Sequence, residues 1–212
     1  MDEPRHSVTE RGATGDARLF APAAARNTGP IVEALVPHLP SSGLALEVAS
    51  GTGEHVIALA AATPSLTWQT TEVDPERLAS IAAWTAHAAA PNIHPPMEFD
   101  AVSSSWLGQP ADAVFLANLL HLISEPDTSM LVTNLANALA PGGVLALYGP
   151  FKRGTAYASE GDERFDAAIQ AERPLAGYKS IDWVDKQCET NGLTHVAQNA
   201  MPANNLLTLW QR

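Results

Sequence analysis

The 212 residues carry 12 Lys+Arg against 23 Asp+Glu, a net charge of -11. An acidic surface repels phosphate backbones, so no nucleic-acid partner is expected. One cysteine, Cys188, excludes an internal disulfide framework and a cysteine-based zinc cluster, and no apolar run approaches the roughly 20 residues of a membrane span. No metal site is indicated.

The opening MDEPRHSVTERGATGDAR is charged, contains no apolar stretch and reads as a flexible tail over residues 1–18 of a cytoplasmic protein. Residues 19–212 read as one domain. The 37 alanines add little apolar area, so the core must rest on Leu/Val/Ile strands. Thr28 can cap a helix that places Pro30 near its first turn, with Ile31, Leu35 and Leu39 along one face. Leu44 to Ala49 is a short buried strand, and His55 to Ala62 a helix closed by Thr63-Pro64. Thr67 to Glu72 is a second strand, after which Pro75 opens an alanine-rich helix to about Ala89. Met97 to Asp100 and Asp112 to Ala117 are strands. Asp127 to Leu139 is a helix that Pro141-Gly142-Gly143 ends before a strand from Val144 to Tyr148. Helices near Phe165–Ala171 and Ile181–Asn191 follow. Alternating strands and helices predict an α/β sandwich with right-handed crossovers and a parallel sheet covered on both faces. The last strands, Leu193–Gln198 and Leu206–Gln211, have no helix between them and must be antiparallel.

The sharpest motif is Glu47-Val48-Ala49-Ser50-Gly51-Thr52-Gly53-Glu54-His55, where the first strand passes into its helix. Glycines there allow a tight turn and close approach of a ligand to the backbone. Glu72, about 20 residues on at the end of the second strand, can accept both hydroxyls of a ribose. A dinucleotide site wants a third glycine where Val56 stands, and Glu54 would repel a pyrophosphate at the helix N-terminus. A ligand with a ribose and no phosphate fits better. S-adenosylmethionine is such a ligand, and Glu47 could meet its ammonium group directly or through a water. Glu54 reads as a helix cap.

On these residues the chain resembles class I S-adenosylmethionine-dependent methyltransferases. The matching features are LALEVASGTG, the acid in TTEVDPERL, LAPGG before a strand, and the final antiparallel hairpin. The segments RLFAPAAARN, SGTGEH, LYGPFKR and MPANNL are similar to a small methyltransferase-like family that includes human methyltransferase-like 26. The resemblance implies a Rossmann-like sheet of seven strands in the order 3-2-1-4-5-7-6, with strand 7 antiparallel. It also implies that Ser50, Gly51 and Gly53 approach the methionine moiety, Glu72 the ribose and Asp100 the adenine amino group. Ala117 and Asn118 would lie beside the methionine carboxylate or the sulfonium, and Arg26 and Asn27 would fold over the cofactor as a lid. It names a cofactor and no acceptor.

Ligands of such sheets bind beyond the carboxyl ends of the strands, where Asn118–His121, Tyr148–Arg153 and Asn204–Asn205 fall. His121 could serve as a base, and reads equally well as a packed histidine in LLHLI. Tyr148 and Lys152 stand beside it as catalytic candidates. Lys152 with Arg153 could hold an anionic substrate group, or form an ordinary solvated pair. Asn204 and Asn205 supply paired amides at the pocket edge, for a substrate. The expected activity is methyl transfer to a small molecule. The rivals are a non-catalytic protein that binds S-adenosylmethionine or S-adenosylhomocysteine, as a sensor or partner subunit, and a dinucleotide-dependent oxidoreductase.

Overall fold

The computed structural model describes residues 16–212 and the backbone of residues 10 and 11. Most of the tail expected over residues 1–18 lies outside the described residues. The seven strands of the main sheet, numbered in chain order, are β1 Gly43–Val48, β2 Leu66–Glu72, β3 Met97–Glu98, β4 Ala111–Ala117, β5 Leu139–Pro150, β6 Thr194–Ala200 and β7 Asn205–Gln211. Their order across the sheet is β3-β2-β1-β4-β5-β7-β6, as the resemblance implies. β1 to β5 run parallel, and β7 is antiparallel to both of its neighbours.

Side chains alternate across a strand, so each strand feeds two cores. One face places Leu46, Val48, Val114, Leu116, Leu145 and Leu147 against helices α4 (Glu125–Ala138) and α6 (Ile181–Thr190). The other places Ala45, Phe115, Tyr148 and Leu207 against α1 (Pro22–Leu35) and α2 (Glu54–Ala62). Helices α3 (Pro75–Ala88) and α5 (Glu160–Glu172) complete the layers. Trp68 and Trp210 are fully buried core residues, and Cys188 is a buried thiol whose ionisation burial suppresses.

Three local expectations are corrected. The first helix begins at Pro22, so Thr28 and Pro30 lie inside it. Pro22 in the first turn is preorganised for the helix, and the alanines after it propagate well. Pro30 withholds a donor mid-helix, at a cost of about 3 kcal/mol. Burial of Ile31 and Leu35, both 0% exposed, contributes about 1.5–3 kcal/mol each and offsets it. Thr28 donates back to the Ala24 carbonyl at 2.8 Å and meets His55 Nδ1 at 2.9 Å. Second, the fifth strand starts at Leu139, because Gly142 and Gly143 exchange backbone hydrogen bonds with Arg212. Third, the helix near Phe165 spans Glu160–Glu172, capped by the Ser159 hydroxyl.

Leu19 to Ala21, which lead into the helix carrying Arg26 and Asn27, are docked on α2 and α3. Leu19 donates to Ser80 Oγ, and the Trp84 indole donates to the Leu19 carbonyl. Phe20 packs edge-on against Trp84, and the Ala21 amide donates to Glu54 Oε2 at 2.8 Å. Glu54 therefore clasps the start of α1, a use that the helix-cap reading did not contain.

Candidate functional site

The β1–α2 turn is built from left-handed residues, with φ of 53° at Ala49, 59° at Gly51 and 94° at Gly53. The two glycines do different work. A side chain at Gly51 would project into open space, whereas a Cβ on Gly53 would stand 3.0 Å from Ile81 Cα of α3. Gly53 lets α3 pack against the turn, and Gly51 leaves the backbone open to a ligand.

Glu72 ends β2 directly beside this turn. It is 3% exposed and accepts from the Gly51 amide at 2.9 Å and the Val73 amide at 2.8 Å. Arg77 lies 3.9 Å away. Asp74 is committed to capping α3, where it accepts from the Glu76 and Arg77 amides. Asp100 is exposed and folds onto its own turn, accepting from Val102, from the Ser103 amide and from the Ser103 hydroxyl. The Ser103 hydroxyl, helped by the two amides, holds its carboxyl below the usual range against the opposing effect of burial.

Glu47 is 1% exposed on β1, and its Oε2 has no hydrogen-bond partner. Its register partner Thr70 on β2 carries a second buried hydroxyl without a partner. Ser50 turns its hydroxyl back to the Glu47 carbonyl. Burial pushes the Glu47 carboxyl from 4.5 up to about 8, with Ser50 opposing and the Glu72 charge adding. A folded pKa above the unfolded one means that this stability is complete below about pH 4.5 and is lost as pH rises towards about 8. Glu47→Gln should therefore stabilise the ligand-free protein more at pH 8 than at pH 5, by more than about 1 kcal/mol. Equal gains in urea unfolding at the two pH values would contradict this.

Ala117 and Asn118 follow at the end of β4, both half-buried, Asn118 with φ 57°. The Asn118 amide donates to the Tyr148 carbonyl at 2.8 Å, so the β4 and β5 ends are stitched together. Tyr148 is 1% exposed. Its hydroxyl lies beside Asn205 and within range of the Arg26 charge, yet makes no hydrogen bond of ordinary geometry. Burial pushes it to about 12, with Asn205 and Arg26 opposing. Asn205 donates to the Pro202 carbonyl at 2.9 Å. Asn27 is 8% exposed, on the buried side of α1.

The basic pair after β5 is already engaged. Lys152 Nζ lies 3.4 Å from Asp166 Oδ2 and over the Tyr157 ring. Burial alone would lower its pKa, but Tyr157 and Asp166 outweigh that and raise it. Arg153 donates to the Phe151 and Asn204 carbonyls, which fastens the MPANN turn. Asn204 is exposed and donates to Asp162 Oδ2 at 2.9 Å and to Ser159 Oγ at 3.3 Å, joining that turn to α5. His121 is 7% exposed and packs edge-on against Tyr178 and tilted against Phe165.

Asp166 is a residue that sequence reading missed. It is 0% exposed and accepts from Tyr157 Oη at 2.6 Å, the Tyr178 amide at 2.6 Å and Gln170 Nε2 at 2.9 Å, besides pairing with Lys152. The run EGDERFD looks like a solvated face; only the spacing of Asp166 and Ile169, the two buried positions of α5, hints otherwise. Lys179, 3% exposed, donates to the Ile123 and Gly177 carbonyls, and burial lowers its pKa. These residues border a cavity of about 400 Å³ between α4 and the 174–179 segment, lined by Ser124, Lys152, Gln170, Tyr178 and Lys179. A second cavity, of about 370 Å³ between α1, α2 and Trp84, is mostly apolar. Neither is lined by Gly51 or Asn118.

The strand order and the reversed seventh strand define the fold of class I methyltransferases. The chain is similar to an O-methyltransferase family protein from Burkholderia thailandensis, with 17% identity and a TM-score of 0.78, over 90% of this chain and 57% of that one. It is similar also to an O-methyltransferase family 2 protein from Planctomyces limnophilus in complex with apigenin, with 20% identity and a TM-score of 0.78, over 89% and 57%. Human N-acetylserotonin methyltransferase in complex with SAM matches at 15% identity with a TM-score of 0.70, over 90% and 52%. The chain spans little more than half the length of these proteins. It belongs to the family described as "Protein of unknown function (DUF938)", whose model matches residues 18–212.

Among the described residues, no helix is long and apolar enough to cross a membrane.

Proposed function

We propose that residues 19–212 form one domain that binds S-adenosylmethionine at the β1–α2 turn and transfers its methyl group to a small molecule. The finer kinship we propose is with the group that includes human methyltransferase-like 26. The observation that carries the reading is the meeting of Gly51, open to solvent, with the buried carboxylate of Glu72 at 2.9 Å. The residues fit this cofactor: a free buried oxygen on Glu47, an open glycine backbone, and an acid at the end of the second strand.

When bound, the cofactor supplies a methyl group on a cationic sulfur, ready for in-line displacement. The chain's own contribution is positioning. Glu72, held by the backbone amides of Gly51, Val73 and Asp74, presents a fixed acceptor for ribose hydroxyls. Glu47 would regain its charge next to an ammonium group, which removes the cost of burying it unpaired. Ser50, Gly51 and Gly53 shape the turn, and Ala117 and Asn118 close the side towards β4. Asn27, on the buried side of α1, would face the same cleft. Asp100 would reach an adenine amino group only by exchanging hydrogen bonds of its own turn. His121 sits in an aromatic pocket beside Tyr178, where it could accept a proton from an acceptor entering past β4.

Calorimetric titration with S-adenosylhomocysteine and with NAD tests the cofactor. Micromolar binding of the first and none of the second is expected; the reverse would overturn the reading. Transfer of a labelled methyl group to small molecules of a cell extract, and not to its tRNA, is the expected activity. Cofactor binding without any transfer would favour the sensor.

A further inference from the structure

Lys179 carries a buried charge that its partners do not balance. It is 3% exposed, and its ammonium donates to the Ile123 and Gly177 carbonyls at 2.5 and 2.8 Å. Two carbonyls satisfy two of its three N–H donors and cancel none of its charge. Among the described residues no salt bridge meets it. Its neighbour Lys152 differs on this point. The Lys152 amide donates to the Lys179 carbonyl at 2.9 Å, while its ammonium has Asp166 at 3.4 Å. Asp166 is in turn engaged by Tyr157, Gln170 and the Tyr178 amide. Burial lowers the Lys179 pKa; the charges of Glu125, Asp166 and Asp127 oppose it, and that of Lys152 adds to it. A buried ammonium without a counterion is costly until one arrives.

The ammonium stands at the wall of a cavity. Lys179 and Gly177 line the space of about 400 Å³ between α4 and the 174–179 segment, as does Ser124, the residue after Ile123. Small-molecule pockets run from roughly 300 to 1,000 Å³, so the volume is ample. Other walls are apolar, formed by Pro126, Pro174, Leu175 and Ala176. Leu175 is 80% exposed, and a ligand that covers it removes apolar area from water. None of the residues assigned above to S-adenosylmethionine lines this cavity, so the site stands independently of that reading.

We propose that this cavity binds a small molecule with one carboxylate on an apolar body, the carboxylate meeting Lys179 and the body meeting Leu175. The ammonium offers both a charge and a third N–H, and charge-assisted hydrogen bonds of this kind are strong. One negative charge suffices, because Asp166 already balances Lys152. Glu125 also lines the cavity, exposed at the start of α4, and repels a second negative charge. A carboxylate therefore fits better than a phosphate ester.

The test is an NMR titration of the isotope-labelled full chain. Phenylacetate is the carboxylate probe, phenylacetamide its neutral counterpart and phenyl phosphate the dianion. Phenylacetate should shift the amides of Gly177, Tyr178 and Lys179, and bind at least tenfold tighter than either other probe. Lys179→Gln, which keeps a donor for the two carbonyls, should bring phenylacetate down to the level of phenylacetamide. Leu175→Glu, at an exposed position, should weaken phenylacetate at least tenfold and leave the melting temperature unchanged. No shift at these amides, equal binding of acid and amide, tighter binding of phenyl phosphate, or full affinity in either variant would overturn the inference. If Lys179→Gln fails to fold, the three probes on the unaltered chain and on Leu175→Glu decide it alone.

Discussion

Asp166→Ala should lower the unfolding free energy by about 3–5 kcal/mol, the usual result of removing one member of a buried charged pair. The carboxylate is 0% exposed and takes three hydrogen bonds besides the Lys152 ion pair. Its loss strands the Tyr157 hydroxyl and the Tyr178 amide, and it leaves Lys152, 24% exposed, with an uncompensated charge. Asp166→Asn keeps an acceptor for the Tyr178 amide and should cost less. Urea unfolding checks both, and a change under 1 kcal/mol in the alanine variant would show that solvent replaces the carboxylate at no cost. The same variant should loosen the walls of the 400 Å³ cavity, because Tyr178 and Lys152 line it.

Glu72→Ala should weaken S-adenosylhomocysteine binding by about 2–3 kcal/mol, roughly 30- to 150-fold. Two losses combine in that figure. The acceptor for the ribose disappears, and the Gly51 amide loses the carboxylate that holds the turn in place. Glu72→Gln retains an oxygen for the Gly51 amide and should recover part of the affinity. Asp100→Ala should cost less than Glu72→Ala, because Asp100 is exposed and already satisfied by its own turn. Isothermal titration of the three variants ranks them, and a larger loss for Asp100 would reverse the roles of the two acids.

Glu72 was legible because its distance from the glycine turn is a property of a β-α-β unit, whose length varies little. Glu47 and Tyr148 were legible for a similar reason, since both stand at strand ends. What each does there was not. The 2.9 Å bond that spends part of Glu72 on Gly51 depends on two strands lying side by side. Lys152 and Arg153 read equally as an anion site or an ordinary solvated pair, because a dipeptide in a loop carries no sign of its partners. Asp166 lies 14 residues from Lys152 in the chain and at 3.4 Å in space.

The chain by itself determined a parallel sheet with a reversed last pair of strands, whereas the order across the sheet came from the family resemblance. Alternating short apolar strands and helices leave one handed crossover, and two last strands without a helix between them must reverse. These are local rules of period and connection length, so they can be read one segment at a time. The start of α1 was misread because Pro30 after Thr28 reads locally as the first turn of a helix, whereas burial of Ile31 and Leu35 lets the helix that begins at Pro22 run through it. The tertiary structure decided which charges are spent and which are free. Pairing depends on through-space distance and desolvation, and neither is encoded in the spacing of residues along the chain. Lys152, Arg153, Asn204 and Asp100 are engaged by partners within the protein, while Glu47 and Tyr148 keep buried polar atoms without a hydrogen-bond partner.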